Sequence, residues 1–272
     1  MNTGKTLFPL LIIWLLVSCF DMKGNEPMPW TEVHSMGIGN IYAPLSSYLN
    51  PAALSLSKKR ALVCAYENKF LVKQLSTLTA CYEQPNRLLD FSVLINYFGY
   101  DLYHETRCGL NVSKVLKPGL SLGARIYYYG LQYADSKGLI SVVSGDIGLQ
   151  YLPVDNLRIG FLIQNPFRVS YKQEGTEYDL PVCMEIGAEY QFADAASLLV
   201  AVEKDTRYPV CFKAGMSYEI ERFLQLRIGV LSSPFMPTGG VGFCFDAFQV
   251  DAAFSYHSTL GLSPAIAIRY NF

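Results

Sequence analysis

Charged residues are scarce in this sequence. Asp, Glu, Lys and Arg make up 17% of the 272 residues, whereas about 25% is usual for soluble domains. The 22 basic and 23 acidic residues nearly cancel, which leaves a formal net charge of −1. Such a balance offers no electrostatic basis for binding nucleic acid or for capturing acidic partners. We therefore expect no nucleic-acid partner.

Long hydrophobic runs are scarce as well. The one continuous apolar stretch, Leu7 to Val17, follows a short polar segment that carries Lys5. As a helix it would span only about half of a bilayer, so it predicts a secretory signal peptide over residues 1–19. Val17-Ser18-Cys19 fits a signal-peptidase site. The same residues also resemble a lipobox in which Cys19 becomes lipidated, and both alternatives stay open.

Motifs for catalysis, cofactors and metals are missing. Six cysteines follow Cys19, none with C-x-x-C spacing, and no phosphate, zinc or calcium loop occurs. We interpret these cysteines as small fillers of a protein interior, with disulfide pairing left open. The adjacent His257 and Ser258 would point apart on a strand, and no third group is placed to orient the base. We predict no enzyme, no cofactor and no metal.

What the sequence does contain is alternation of apolar with small or polar residues. Over residues 210–220, Val210, Phe212 and Ala214 fall on one face of a strand, while Cys211 and Lys213 fall on the other. The pattern recurs between turns to the end of the chain and predicts an all-β protein of about fourteen strands. The predicted strands are 60–66, 72–82, 88–97, 102–115, 120–131, 139–151, 157–164, 182–191, 196–204, 210–220, 223–231, 240–246, 248–257 and 263–272.

The last strand runs to the final residue. Ile266, Ile268, Tyr270 and Phe272 share its apolar face. In lipid, an open sheet edge would expose backbone groups that nothing satisfies, so the last strand must pair with the first. We predict a transmembrane antiparallel up-and-down β-barrel over residues 60–272, located in the bacterial outer membrane. Short turns on the side of the C terminus, and longer loops such as 165–181 and 232–239 opposite, agree with this fold.

Charged residues fall on the inward face of the predicted strands. Two interpretations stay open: a lattice of ion pairs that fills a narrow barrel, or a polar path through it. The residues are Arg125, Arg158, Glu185, Glu189, Glu203, Lys213, Glu219, Arg227, Asp251 and Arg269.

The region before the barrel, residues 20–59, is predicted to be a leader followed by a plug. Residues 20–35 show no period and are interpreted as a loose leader. Residues 36–54 are apolar but irregular, and irregular backbone at membrane depth is tolerated only where protein shields it from lipid. We therefore predict that this segment occupies the lumen, with Asn50 and Pro51 forming the bend by which it leaves.

Two motifs carry a family resemblance. Residues 36–40 (M-G-I-G-N) and 50–54 (N-P-A-A-L), together with G-G-V-G-F at 239–243, resemble a superfamily of barrels. That superfamily contains the FadL-like long-chain fatty-acid transporters and the PorV/PorQ-type barrels associated with type IX secretion. The resemblance implies fourteen strands and a lumenal plug that includes Asn50, Pro51 and Ala52.

Function is predicted from the length of the chain and of its loops. Both are short for this superfamily, and no hydrophobic capture site is evident, so we favour a PorV/PorQ-like component that serves type IX secretion or interacts with other proteins. The alternative is a FadL-like channel for uptake of hydrophobic small molecules. Expected partners are outer-membrane lipid, the barrel assembly machinery, and either secretion-system proteins or a hydrophobic ligand.

Overall fold

The computed structural model describes residues 30–45, 48–56, 59–134, 139–173 and 176–272. The predicted signal peptide, Cys19 and most of the predicted leader lie outside the described residues. Within the described ranges, no helix has the length and apolar character needed to cross a membrane.

Fourteen of the described strands close into one antiparallel barrel, in which the first strand, Ala61–Asn68, pairs with the last, Gly261–Asn271; this confirms the predicted closed all-β barrel. The two remaining strands, β8 and β9, form a separate hairpin in the connection between β7 and β10. The strands are β1 Ala61–Asn68, β2 Ser76–Gln84, β3 Asp90–Tyr100, β4 Tyr103–Lys117, β5 Leu120–Tyr133, β6 Ile140–Val154, β7 Leu157–Gln164, β8 Ser170–Gln173, β9 Thr176–Asp179, β10 Cys183–Ala193, β11 Ala196–Asp205, β12 Cys211–Glu221, β13 Leu224–Ser232, β14 Phe235–Phe245, β15 Phe248–His257 and β16 Gly261–Asn271.

Burial alternates along the wall, as a barrel with two different faces requires. In β1, Ala61, Val63 and Ala65 are buried, whereas Leu62 and Tyr66 are exposed on the outside. Large apolar side chains recur on the outer face of every barrel strand, which suits contact with hydrocarbon rather than water. The outer-membrane location predicted from the sequence agrees with this fold.

The barrel closes through its last strand. Ala61 lies opposite Asn271 and Glu67 opposite Ala265, and the backbone N–H of Phe272 donates to the carbonyl of Arg60 at 3.0 Å. The outward-facing members of this strand are Ile266, Ile268, Tyr270 and Phe272, all exposed. No edge is left open at the seam.

Two predicted boundaries are wrong. Strand β2 begins at Ser76 rather than 72, because 69–75 forms two short 3-10 turns. The predicted external loop over 232–239 is a tight turn at 233–234, since β14 already begins at Phe235. Pro234, Pro237 and Gly239 made this stretch resemble a loop, but pairing with β13 satisfies its backbone and outweighs weak strand propensity.

Residues 30–45 and 48–56, here called the inner segment, contain little regular structure. A four-residue helix, α1 (Val33–Met36), and a 3-10 helix, Pro51–Leu56, are the elements described. Trp30 and Val33 are buried. The prediction of a loose leader through residue 35 is therefore wrong for its last residues, which pack with the rest of the inner segment.

Candidate functional site

The inner segment packs on the inward faces of strands around most of the wall. Helix α1 contacts β14, β15 and β16, and its Val33 and Met36 pack on inward alanines of β15 and β16. The 3-10 helix Pro51–Leu56 contacts β3, β4, β5 and β6 instead. The segment thus contacts inward faces in two separate parts of the wall.

A belt of inward glycines lets the backbone of the inner segment approach the wall. A Cβ atom at Gly160 would overlap the carbonyl of Ala43, and one at Gly229 would overlap the backbone of Gly39. Several of these glycines are direct cross-strand partners. Because glycine has no side chain, the two backbones lie in contact. The glycine belt consists of Gly123, Gly148, Gly160, Gly187, Gly215, Gly229 and Gly240.

One polar anchor of the inner segment is built around Lys213 and Glu185. A single carboxylate oxygen of Glu185 accepts hydrogen bonds from the backbone N–H groups of Tyr42 and Ala43, each at 2.7 Å. Lys213 Nζ donates to Glu185 at 2.6 Å and to Glu203 at 2.7 Å. It also donates to a backbone carbonyl of the inner segment at 2.6 Å. The buried charges therefore satisfy one another and hold the backbone.

A second anchor is built around Arg125 in β5. Its Nη1 pairs with Asp146 Oδ2 at 2.9 Å, and both side chains are essentially excluded from solvent. Its Nη2 donates to the carbonyls of Tyr48 and Leu49, the latter at 2.9 Å. Its Nε donates to Asn111 Oδ1 at 2.6 Å. The planar guanidinium thus joins a wall carboxylate to the backbone of the inner segment.

Asn50 closes the inner segment on itself. Its Oδ1 accepts from Ala52 N at 3.0 Å, and its Nδ2 donates to the carbonyl of Ala43 at 2.6 Å. Gln150 from β6 donates to the same carbonyl at 3.1 Å. The local turn expected of Asn50 is present. Pro51 then starts the buried 3-10 helix, so the chain at this point is still packed against the wall.

The predicted inward charges mostly form ion pairs. Arg158 pairs with Glu189 at 3.1 Å, and Arg227 pairs with Asp251. Glu219 is on the inward face but exposed near the end of its strand. Arg269 pairs with Glu83 at 2.5 Å, a partner that the sequence analysis missed. Other buried charges that it missed are Glu67, Glu105, Arg107 and Asp146; each lies at an inward position of the same alternation, which is the signal that could have found them.

An aromatic cluster lies inside the barrel and extends from Tyr171 of the β8–β9 hairpin to Val63, which pairs with Arg269 of the last strand. Trp30 packs edge-on against Tyr127, with ring centroids 6.0 Å apart. The guanidinium of Arg107 lies 5.6 Å from the Trp30 ring and 5.1 Å from the Tyr129 ring. The described cluster consists of Trp30, Tyr48, Leu49, Val63, Cys81, Leu94, Tyr127, Tyr129, Leu131, Val142, Tyr171 and Leu180.

The β8–β9 hairpin covers this aromatic cluster. Tyr171 from β8 lies 6.3 Å from the Tyr129 ring and stacks on Tyr178 of β9 at 5.5 Å. Burial raises the pKa of Tyr171 to about 12, so its phenol remains neutral at physiological pH. No hydrophobic capture site is evident in the sequence, because the inward aromatic residues and a loop tyrosine meet only in the folded barrel.

Two cavities flank the inner segment and the seam. A polar cavity of about 180 Å³ lies beside the inner segment, lined by His34, Glu189, Glu219 and other polar side chains. An apolar groove of about 410 Å³ lies on the outer wall beside Cys64, Leu78 and Ile268. Among the described residues, no group of three or more His, Cys, Asp or Glu side chains is arranged to hold a metal ion.

The wall is a closed, fourteen-stranded antiparallel barrel, a fold that solved structures of outer-membrane channels share. No protein-family model matches the sequence, and a search of curated proteins finds no match. Solved structures do match. The CymD monoaromatic hydrocarbon channel aligns with a TM-score of 0.66 and 12% identity, covering 88% of this chain and 96% of that chain.

Two further structures agree. The Pseudomonas putida toluene transporter TodX aligns with a TM-score of 0.65 at 12% identity, covering 93% of this chain and 99% of that chain. A Pseudomonas aeruginosa FadL homologue aligns with a TM-score of 0.60 at 13% identity, covering 90% and 99%. At such identities the likeness establishes the fold alone. These structures do not show a relationship to the PorV/PorQ-type barrels.

Proposed function

We propose that the protein is an outer-membrane conduit for a hydrophobic small molecule and that the inner segment plugs it. The observation that carries this proposal is the aromatic cluster, which is enclosed by the wall and covered by the β8–β9 hairpin. Three of its members, Trp30, Tyr48 and Leu49, belong to the inner segment itself. A molecule that enters the cluster therefore contacts the plug directly.

The chemistry of the aromatic cluster suits an apolar ligand. Ligand sites are mostly apolar, with few polar groups that fix orientation, and aromatic rings bury large areas of apolar surface. Here two guanidinium groups lie against the rings: that of Arg107 beside Trp30 and Tyr129, and that of Arg125 beside Trp30. The names of two fold neighbours, a monoaromatic hydrocarbon channel and a toluene transporter, agree with this class of substrate.

Uptake of radiolabelled toluene and oleate into cells that produce the protein tests this function, with arabinose as a polar control. We expect uptake of at least one apolar probe above that of cells with the empty vector, and no change for arabinose. Replacing Trp30 and Tyr129 with alanine should reduce the gain. If assembled barrel is present and neither apolar probe enters faster, the conduit is rejected.

A PorV/PorQ-like role in secretion is the second candidate, favoured by how completely the inner segment is anchored. Wall side chains hold it at Gly39, Tyr42, Ala43 and Leu49, and a filled interior fits a component that interacts rather than transports. Deleting the gene in its native host would then block secretion of cargo proteins without changing uptake of toluene or oleate. Normal secretion after the deletion would reject this role.

A further inference from the structure

The β8–β9 hairpin and the inner segment are joined by a continuous chain of buried hydrogen bonds. We propose that Asp146 and Arg125 couple the two, so that displacing the external hairpin loosens the inner segment around Tyr48 to Leu54. This device would deepen the proposed conduit function, because a ligand arriving at the hairpin would release the plug. Arg125 and Asp146 are positioning residues in this scheme.

The outer end of the chain of contacts is Asn165, which begins the external connection. Its Nδ2 donates to the carbonyl of Leu180 at 2.8 Å, and its Oδ1 accepts from Val169 N at 3.1 Å. Both ends of the hairpin excursion are therefore tied to one side chain. Ser144 from the wall donates to the same Oδ1 at 2.6 Å. Asn165 adopts a left-handed backbone conformation, with φ of 50°, which asparagine tolerates better than most residues.

The middle of the chain of contacts is the Asp146–Arg125 ion pair. One carboxylate oxygen of Asp146 accepts from the backbone N–H of Asn165 at 3.2 Å, and the other accepts from Arg125 at 2.9 Å. A carboxylate that loses one of these donors in a dry interior is left poorly satisfied, and such a loss is costly. Displacing Asn165 therefore changes the position of Asp146 or admits water to it.

The inner end is the backbone of the inner segment. Arg125 Nη2 donates to the carbonyls of Tyr48 and Leu49, while Nη1 of the same guanidinium donates to Asp146. Because the guanidinium is planar, a shift of one branch moves the other. The next residue is Asn50, whose carbonyl accepts from Ala53 N at 3.0 Å. Release of Arg125 should therefore loosen the 3-10 helix Pro51–Leu56.

The coupling should be local. The other end of the inner segment is held by Glu185 and Lys213 through Tyr42 and Ala43. No described hydrogen bond links either of these wall residues to Asn165, Asp146 or Arg125. The Ala43 carbonyl accepts from Asn50, which lies inside the coupled region, so the Gly39 and Tyr42 amides serve as the reference within the same molecule.

Ligand binding would act on the hairpin through the aromatic cluster. Tyr171 and Leu180 line this cluster from the hairpin side, and Trp30 lines it from the inner segment. The guanidinium of Arg125 lies 5.1 Å from the Trp30 ring. A molecule that displaces Tyr171 therefore disturbs the packing at both ends of the chain of contacts.

Amide hydrogen exchange of the assembled barrel in lipid nanodiscs, measured without any substrate, tests the coupling. In Asn165→Ala, we expect exchange at residues 48–54 to accelerate by about tenfold, since local opening sets exchange rates. Exchange at Gly39 and Tyr42 should stay unchanged. The matched control is Asn96→Ala, which removes another buried wall asparagine, bonded to Thr79 at 2.9 Å and not to the inner segment; it should leave residues 48–54 unchanged.

A double-mutant cycle tests the route. Arg125→Leu with Asp146→Leu removes both charges together, and in this background Asn165→Ala should cause no further acceleration at residues 48–54. Equal acceleration in both backgrounds, no acceleration in either, or a uniform change over 38–54 would each overturn the coupling. If Asn165→Ala does not assemble, Tyr171→Ala displaces the hairpin by a different contact and must give the same pattern. Because no substrate is present, failure here leaves the uptake result independent.

Discussion

At the residue scale, the interior of the barrel is organised by charges that bind backbone as well as one another. Glu185 is satisfied by Lys213 on one side and by two N–H groups of the inner segment on the other. A buried ion pair contributes little by itself, because desolvation offsets the attraction. Here the ion pair positions the inner segment, because the same Glu185 carboxylate is bonded both to Lys213 of the wall and to the backbone of the inner segment.

Lys213→Met should destabilise the barrel. The substitution leaves the buried carboxylate of Glu185 and the half-buried carboxylate of Glu203 as neighbours without their cation, and we expect the free energy of unfolding to fall by about 3–5 kcal/mol. Urea titration in lipid vesicles measures it. The double variant Lys213→Met with Glu185→Gln should recover part of the loss, because the amide oxygen can still accept from Tyr42 and Ala43. A double variant less stable than the single one would contradict this account.

Gly160→Ala should displace the inner segment from the wall. The added methyl overlaps the backbone at Ala43, and overpacking of this kind costs about 1–3 kcal/mol. Gly109→Ala is the matched control, since its methyl would meet the nearest atom, Arg125 Cδ, at an ordinary 3.4 Å. We expect faster leakage of a small sugar from proteoliposomes containing Gly160→Ala only. Identical leakage of both variants would argue against glycine as the fitting surface.

At the element scale, the last strand carries a band of aromatic rings at the seam. Tyr270 packs on Phe248 at 4.7 Å between ring centroids, and Phe272 packs on Tyr270 at 5.5 Å. Tyr82 from β2 extends the band across the seam to Phe272. Aromatic girdles of this kind mark the interfacial zone of outer-membrane barrels. The terminal residue thus belongs to the wall.

Phe272→Asp, or deletion of Phe272, should sharply lower the amount of assembled barrel. The change removes an aromatic residue from the girdle beside the closing strand, where the assembly machinery is expected to act. Phe245→Asp is a matched control, because Phe245 is also 56% exposed and lies at the end of β14. Heat-modifiable mobility on gels quantifies assembly. If both variants assemble equally well, Phe272 has no special role in closure.

At the scale of the whole molecule, an apolar exterior surrounds a polar and tightly packed interior. Soluble barrels reverse this distribution, since their outer face meets water. Closure leaves the wall without an open edge, which lipid requires of any spanning sheet. The outer face of the wall is therefore suited to contact with the hydrocarbon core of a membrane.

Fractionation of cells should recover the mature protein with the outer membrane, and its gel mobility should change on heating. The physical reason is that the closed barrel keeps its β-structure in detergent until it is boiled. Inner-membrane and periplasmic marker proteins are the controls for cross-contamination. Recovery in the soluble periplasmic fraction would be incompatible with the exposed apolar face.

The sequence by itself determined the wall. Alternation at period two and the unbroken pattern through Phe272 predicted fourteen strands, because each side chain on a strand must choose lipid or interior. It also placed Lys213, Glu185 and Arg125 on the inward face. Strand ends were less well predicted, as β14 shows, since pairing partners rather than local propensity set them.

Only the tertiary structure decided what meets inside the barrel. Asp146 binds Arg125, and Trp30 reaches Tyr127, across separations in sequence that no local pattern reports. In the sequence, the residues of the glycine belt appear only as scattered positions of low strand propensity. The strand register places several of them side by side. Because the barrel closes, the inward faces of all fourteen strands surround one interior. The contacts that anchor the inner segment arise only there, because curvature and register bring distant inward faces together.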